Sequence, residues 1–228
     1  MLEESNREIL EVKEIFENVF RIDKRLATRN SVPGVKVYDE ELLEVGNIEY
    51  RTWNPYRSKL AAAILKGLKQ MEIKIGSRIL YLGAATGTTP SHVSDIVGPK
   101  GEVFCVEFSE RNMRDLMQVC AKRNNMLPIH CDARLSENYA EDAENVDVLY
   151  MDVSARDQSD ILIRNSKLLK ERGYAYVAIK SQSISSSAKP SDIFEEFLDQ
   201  IKDHFEILER IDIEPFDKGH LFVVLRKR

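Results

Sequence analysis

The chain has 228 residues, 43% of them hydrophobic, enough for one sizeable packed α/β unit and a small appendage. Its formal net charge of −5 argues against a protein that wraps nucleic acid unaided, because phosphate binding is driven by Lys and Arg; a basic patch or a partner would have to supply that affinity. The cysteines, Cys105, Cys120 and Cys131, show no CxxC spacing, so neither a disulfide framework nor a metal site is expected, and a reducing compartment is the natural setting.

The start, Met1-Leu2-Glu3-Glu4-Ser5, is acidic and lacks an apolar run. No signal peptide is expected there, no stretch reaches transmembrane length, and a cytoplasmic location without a membrane partner follows as the expectation. Val12, Ile15, Phe16 and Val19 have helical spacing, while Phe16, Phe20 and Ile22 fit strand positions equally well, so the local pattern leaves both open. Val32-Pro33-Gly34 marks a turn. Val35 to Tyr38 and Ile48 to Arg51 read as short strands, with Gly46-Asn47 as a hairpin turn before the second. Together these features predict a small, β-rich N-terminal domain over residues 1–53.

From Asn54 the rhythm becomes strand, helix, strand. Asn54-Pro55 is read as a helix start, with Leu60, Ala61, Ile64, Leu65 and Leu68 on one apolar face. Ile79 to Leu82 is a buried-strand run ending at Gly83. Thr89-Pro90 opens a helix that stops at Gly98. Further strands are predicted at Val103 to Phe108, at a run ending near Ile129, at Val146 to Tyr150 and at Tyr174 to Lys180. The helices between them lie around 113–121 and 158–170. Residues 181–190 are Ser-rich and read as a loop; a helix at 191–203 and strands at 205–213 and 221–226 complete the chain. Repeated βα units imply a Rossmann-like, mostly parallel sheet with helices on both faces, over residues 54–228. The short final connection makes the last strand antiparallel.

In such sheets ligands sit beyond the carboxyl ends of the strands. The loop there is Gly83-Ala84-Ala85-Thr86-Gly87-Thr88-Thr89. It lacks the middle Gly of GxGxxG, which lets a pyrophosphate approach the backbone, and it suits the amino-acid end of S-adenosylmethionine better. Glu107 ends the next strand, about 20 residues on, where an acid bonds ribose hydroxyls in nucleotide-binding βαβ units. Phe108 can pack on an adenine face, and Asp132-Ala133 follow the third strand near the adenine amino group. Each feature has a bland counterpart, a solvated acid or a core aromatic; their coincidence at three successive strand ends points to the cofactor. Asp152 ends the fourth strand and Lys180 the fifth, His220 precedes the last, and Lys59 lies in the first helix. These polar residues converge from different elements on one rim, although a lone strand-end Lys is usually surface and a His beside a Gly is usually a turn residue.

The stretches Asn54 to Ala62, Tyr81 to Asp95, Val106-Glu107-Phe108 and Asp212 to Phe216 closely resemble fibrillarin in its archaeal form, with GTTPSHVSD the most specific run. The resemblance covers about Leu26 to the C-terminus. It implies the class I methyltransferase fold and an S-adenosylmethionine-dependent RNA 2′-O-methyltransferase acting on ribosomal or transfer RNA. The implied setting is a box C/D ribonucleoprotein, with a guide RNA, a Nop-type scaffold protein and a kink-turn-binding ribosomal-protein homologue. The family's catalytic Lys, Asp, Lys and His fall on Lys59, Asp152, Lys180 and His220. Its cofactor contacts fall on Gly83, Ala84, Thr88, Thr89, Glu107, Phe108, Asp132, Ala133, Asp152, Val153, Ser154 and Ala155. Three departures stand out: Ser154-Ala155 where the family has Ala-Gln, Gly219 where it has Asp, and Ser185 where it has an acid. The base is left open by this reading; Lys180 is the candidate toward the ribose hydroxyl, with Asp152 orienting Lys180 or the methyl donor, while Lys59 and His220 steady the ribose or its phosphates. The competing readings are a non-catalytic subunit of the same particle and a nicotinamide-dependent oxidoreductase.

Overall fold

The computed structural model describes residues 10–228; the acidic start lies outside them. Strands β1 (Val12–Phe16), β2 (Val19–Ile22), β3 (Arg25–Arg29), β4 (Leu42–Val45) and β5 (Ile48–Thr52) form an antiparallel sheet in the order β1-β2-β3-β5-β4. Residues 12–22 are therefore strand. Asn18 and Asp23 take left-handed φ values of 57° and 52°, which closes the two tight turns of the meander. The Gly46-Asn47 turn stands where expected, with Val45 opposite Ile48. Its incoming strand is β4, however, and Val35 to Tyr38 is not a strand. The Glu40 carboxylate accepts the backbone N–H groups of Val37 (2.8 Å) and Tyr38 (2.7 Å), which curls that stretch into a loop and removes donors that a ladder needs.

The second sheet contains β6 (Arg78–Leu82), β7 (Glu102–Glu107), β8 (Met126–His130), β9 (Val146–Met151), β10 (Leu169–Lys180), β11 (Phe205–Asp212) and β12 (His220–Lys227), in the order β11-β12-β10-β9-β6-β7-β8. Only β12 runs against its neighbours, β10 and β11, as the short final connection implied. The helices are α1 (Lys59–Leu65), α2 (Thr88–Val97), α3 (Glu110–Cys120), α4 (Gln158–Asn165), α5 (Ser181–Ile184) and α6 (Pro190–Ile201). Alternate residues of each central strand enter opposite cores. Ile79, Tyr81, Val103, Cys105, Val148 and Tyr150 pack on one face. Leu80, Leu82, Phe104, Val106, Leu149 and Met151 pack on the other. Burial on both faces is why these strands read as continuous apolar runs. Cys105 is a core residue.

Several boundaries differ from the sequence-based expectation. Ser58, not Asn54, caps α1, its hydroxyl accepting the Ala61 N–H at 3.3 Å; Asn54 instead closes a turn by accepting the Tyr56 N–H at 2.9 Å. Residues 158–170 are not one helix. The chain leaves α4 at Asn165, passes through a single 3-10 turn, and enters β10 at Leu169, which pairs with Val146 of β9. The apolar pair Leu168-Leu169 continues the helical pattern, but strand pairing takes it. Ser181 to Ile184 is a helical turn rather than loop, with Ser185 N–H bonded to the Ser181 carbonyl at 2.9 Å.

Strand order reverses between β6 and β9, which opens the crevice where a ligand binds in open α/β sheets. One further element is unusual. Thr89 to Val97 of α2 is buried throughout, including Ser91, His92, Ser94 and Asp95, because α2 lies between the two sheets, in contact with both β3 and β7.

Candidate active site

The crevice is built by the ends of five parallel strands, β6 to β10. After β6 the chain turns at Gly83, whose φ is +80°; a Cβ there would stand 2.8 Å from the Asp152 carbonyl oxygen. Only Gly fits, because the loop must pass hard against the end of β9. The loop is then tied to β7: the Ala85 N–H donates to Glu107 Oε2 at 2.8 Å, with Ala85 held at φ 49°. The other Glu107 oxygen takes the Ser109 N–H at 2.8 Å. Oε2 keeps a lone pair for a further donor, while Oε1 is also approached by Asn112 Nδ2 at 3.5 Å.

Gly83, Glu107, Phe108, Asp132, Ala133, Asp152, Val153, Ser154 and Ala155 line one cleft of about 310 Å³, together with Asn112, Cys131, Arg134 and Lys180. The remaining expected cofactor residues stand apart. Ala84 is 2% exposed and belongs to the core. Thr88 lines a neighbouring cleft, and Thr89 is buried with its hydroxyl on Ser58 Oγ at 3.0 Å. Asn112 and Arg134 escaped the sequence analysis; Asn112 lies within hydrogen-bond reach of Glu107 at 3.5 Å, from the first turn of α3.

These residues fit S-adenosylmethionine. Glu107 offers a carboxylate acceptor to ribose hydroxyls, and Phe108 presents a 71% exposed ring at the same rim. The cleft is lined by three carboxylates, Glu107, Asp132 and Asp152, against the cations Arg134 and Lys180. Asp132 and Asp152 are paired with those cations, which leaves Glu107 as the unpaired carboxylate, and the loop beside it lacks the middle Gly that a pyrophosphate requires, so a nicotinamide dinucleotide has no support.

At the mouth of this cleft the expected catalytic residues meet in one charged row. Lys180 Nζ donates to the Asp152 carbonyl at 2.8 Å and to Ser154 Oγ at 3.1 Å, and it stands 2.8 Å from Asp152 Oδ1 as an ion pair. Lys59 Nζ reaches Asp152 Oδ1 at 3.1 Å and Asp217 Oδ2 at 3.3 Å. His220 Nδ1 lies 2.9 Å from Asp217 Oδ1. The row thus runs Lys180, Asp152, Lys59, Asp217, His220. Burial pulls the Lys59 ammonium pKa down, but the Asp152 and Asp217 carboxylates outweigh it, so the pKa is raised and Lys59 is charged. Buried Gln158 locks the framework: its Nε2 donates to the Val153 carbonyl at 2.6 Å and its Oε1 accepts the Lys180 N–H at 3.1 Å.

Asp217 and Gln158 were absent from the sequence-based site. The signal for Asp217 was an acid three residues before His220. Gly219, where the resemblance called for an acid, turns the chain at φ +70° so that Asp217 reaches the imidazole. Ser154, the other departure, supplies a hydroxyl to Lys180. Ser185 stands outside the row, with its hydroxyl near that of Ser187. Among the described residues no group of His, Cys, Asp and Glu is arranged to hold a metal ion, and no helix is long and apolar enough to cross a membrane.

The sequence model of the family described as Fibrillarin matches residues 10–228. The fibrillarin-like rRNA/tRNA 2′-O-methyltransferase of Methanocaldococcus jannaschii is 49% identical over 224 residues, covering 95% of this chain and 97% of that protein. The crystal structure of Aeropyrum pernix fibrillarin in complex with natively bound S-adenosyl-L-methionine is similar with a TM-score of 0.86 and 42% identity, over 95% of this chain and 99% of that one. A fibrillarin/Nop5p complex is similar with a TM-score of 0.86 and 35% identity, over 95% and 100%. Fold, cleft and sequence agree, and the chain belongs to the fibrillarin family.

Proposed function

We propose that this chain is an S-adenosylmethionine-dependent RNA 2′-O-methyltransferase and the catalytic subunit of a box C/D ribonucleoprotein that modifies ribosomal and transfer RNA. One observation carries the assignment: the row from Lys180 to His220 is laid along the mouth of the strand-end cleft, in a chain 49% identical to a fibrillarin-like rRNA/tRNA 2′-O-methyltransferase.

When bound, S-adenosylmethionine supplies an electrophilic methyl group carried on a sulfonium. Glu107 would hold its ribose hydroxyls, Phe108 would pack on the adenine with Asp132 and Ala133 toward its edge, and the Gly83 loop with Val153, Ser154 and Ala155 would hold the rest. Asp152 fixes both lysines. Lys180 takes the 2′-hydroxyl proton. In that role it is held at the rim by its contacts to the Asp152 carbonyl and to Ser154 Oγ. Lys59 and His220 hold the ribose and its phosphates for in-line approach.

A guide RNA chooses the nucleotide by base pairing, and a Nop-type scaffold protein and a kink-turn-binding protein hold the enzyme in place. The fibrillarin/Nop5p complex supports the scaffold, and the net charge of −5 is in keeping with affinity delegated to an assembly. The test is reconstitution with guide RNA and both proteins, followed by methyl transfer to a matched RNA. Wild-type chain is expected to methylate a single ribose. Lys180→Ala should lose roughly a hundredfold or more in transfer, in the range of a removed general base, while its cofactor affinity measured by calorimetry is unchanged. Near-normal turnover of the variant removes Lys180 from the role. Cofactor binding by a wild-type particle that never transfers a methyl group would favour the non-catalytic subunit.

A further inference from the structure

Arg134 lines the cofactor cleft, yet the proposed function gives it no part. It is not a free cation. Its Nε and Nη2 donate to the two oxygens of Asp157 at 2.8 and 2.6 Å, and its Nη1 lies 3.2 Å from Asp132 Oδ2 and 3.4 Å from Asp132 Oδ1. All three nitrogens of the fork are thus engaged with two carboxylates that come from different strand ends. Asp132 follows β8, and Asp157 follows β9 at the start of α4. The planar fork of an arginine can meet one carboxylate with two N–H groups and still reach a second; the single ammonium of a lysine cannot reproduce that geometry.

The Asp157 end of this clasp is the anchored one. Asp157 is the N-cap of α4, where an Asp side chain ordinarily accepts a backbone N–H of the first turn; here it makes no such bond and turns to Arg134 instead. The guanidinium holds the Asp157 carboxyl below the usual carboxylate range. The next residue, buried Gln158, is bonded to the Val153 carbonyl and the Lys180 N–H, which fixes the start of α4. The Asp132 end is adjustable. Its Oδ1 accepts the Arg134 backbone N–H at 2.9 Å, a single bond about which the carboxylate can turn, and Nη1 is the second contact that stops the turn. Asp132 Oδ2 still has a lone pair for a further donor. The backbone beside it does not depend on the clasp: the Ala133 carbonyl accepts Asn165 Nδ2 at 2.9 Å, and the buried Tyr139 hydroxyl donates to Asn165 Oδ1 at 2.7 Å. Arg134 therefore orients a side chain rather than holding up a loop. The half-exposed Arg134–Asp157 pair adds little to global stability, so its variants fold.

We propose that Arg134 is a specificity-determining positioning residue: anchored on Asp157, it aims Asp132 at the 6-amino group of the cofactor's adenine and makes the cleft select an adenosyl group over a 6-oxo purine. This rests on the proposed placement of the adenine edge at Asp132 and Ala133. A carboxylate held in place accepts from an amino group and repels a carbonyl; one that turns freely does both less well.

The test is calorimetry on the full chain with S-adenosyl-L-homocysteine and with S-inosyl-L-homocysteine, which carries a carbonyl in place of the amino group. Wild type should prefer the adenosyl compound. Arg134→Ala should bind it roughly fivefold more weakly, the size of one positioned hydrogen bond, while its affinity for the inosyl compound stays level or rises, so the preference narrows. Asp157→Asn should do the same, and it spares α4 because Asn caps a helix as well as Asp. Arg134→Lys keeps the charge without the fork and should not restore the preference. In the reconstituted particle the KM for S-adenosylmethionine should rise in Arg134→Ala with kcat unchanged. A preference that holds or widens in Arg134→Ala, or that returns in full with Arg134→Lys, overturns the positioning role and leaves the adenine placement standing. A wild-type chain with no preference between the two compounds overturns the adenine placement itself, and this inference with it.

Discussion

Single residues decide how far the site extends beyond what the sequence pattern reveals. Glu107, Asp132, Asp152 and Lys180 were legible because each follows a strongly apolar strand, and the ends of parallel strands share one rim. Asp217 was not legible, because its reach depends on a loop whose path is set by backbone turns rather than by periodicity. It nevertheless joins Lys59 to His220 at 3.3 and 2.9 Å. Asp217→Asn removes one of the two carboxylates that hold Lys59 charged and in place, and it leaves His220 without its anion. We expect transfer in the assembled particle to fall roughly ten- to a hundredfold, corresponding to the loss of one charge-assisted contact or two. Cofactor affinity should be unaffected, since Asp217 does not line the cofactor cleft. Equal loss of cofactor binding would show that Asp217 acts by holding the cleft's shape instead.

At the scale of elements, helix α2 has the largest gap between what its sequence suggested and what it does. The run from Gly87 to Asp95 carries the family resemblance and follows the cofactor loop, so it looks like binding machinery. Most of it faces the other sheet. His92 stacks on Trp53 with centroids 4.7 Å apart and bonds Thr28 and Tyr38, each at 2.8 Å. Asp95 pairs with Arg51 at 2.8 Å and with Arg123 at 2.6 Å, and all three side chains are at most 1% exposed. Arg51 also pairs with Glu40 at 2.8 Å. A helix pattern read alone cannot report this, because the partners lie up to 67 residues away. The Val35 to Tyr38 stretch was misread for the same reason: Glu40 curls it, and Arg51 buries Glu40. Removing Asp95 leaves the Arg123 guanidinium buried without a carboxylate and takes one of two carboxylates from Arg51. Asp95→Ala is expected to cost about 3–5 kcal/mol, the usual penalty for breaking a buried pair from one side. Equilibrium urea unfolding measures this; a loss below about 1 kcal/mol would mean that the arginines find other partners.

Across the whole molecule, that network has a consequence for cooperativity. Chains longer than about 150 residues commonly unfold in steps. Here one apolar cluster runs from Val19, Leu26 and Trp53 through Ile64 to Ile79 and Val103, so both sheets share a core as well as the buried ions. Neither sheet can be exposed without opening the face that stabilises the other, and a single calorimetric transition is expected. Its pH dependence should report on the interface. Burial holds the His92 pKa well below its usual 6.5, and the Arg51 and Arg123 charges push the same way. Below about pH 6.5 the unfolded chain therefore binds a proton that the folded chain refuses. This contribution to stability is complete above that pH and is lost as pH falls, by up to about 1.4 kcal/mol per unit. Glu40, whose pKa is lowered by the backbone N–H groups and Arg51 despite its burial, acts in a separate window beginning near 4.5. Between pH 7 and 5 the midpoint temperature should fall for the whole molecule at once. His92→Gln should be less stable at pH 7, because the buried stack and hydrogen bonds are disturbed, and its midpoint should vary less with pH over that range. Two separate transitions, with only one of them sensitive to pH, would show instead that the sheets unfold independently and that the buried network does not couple them.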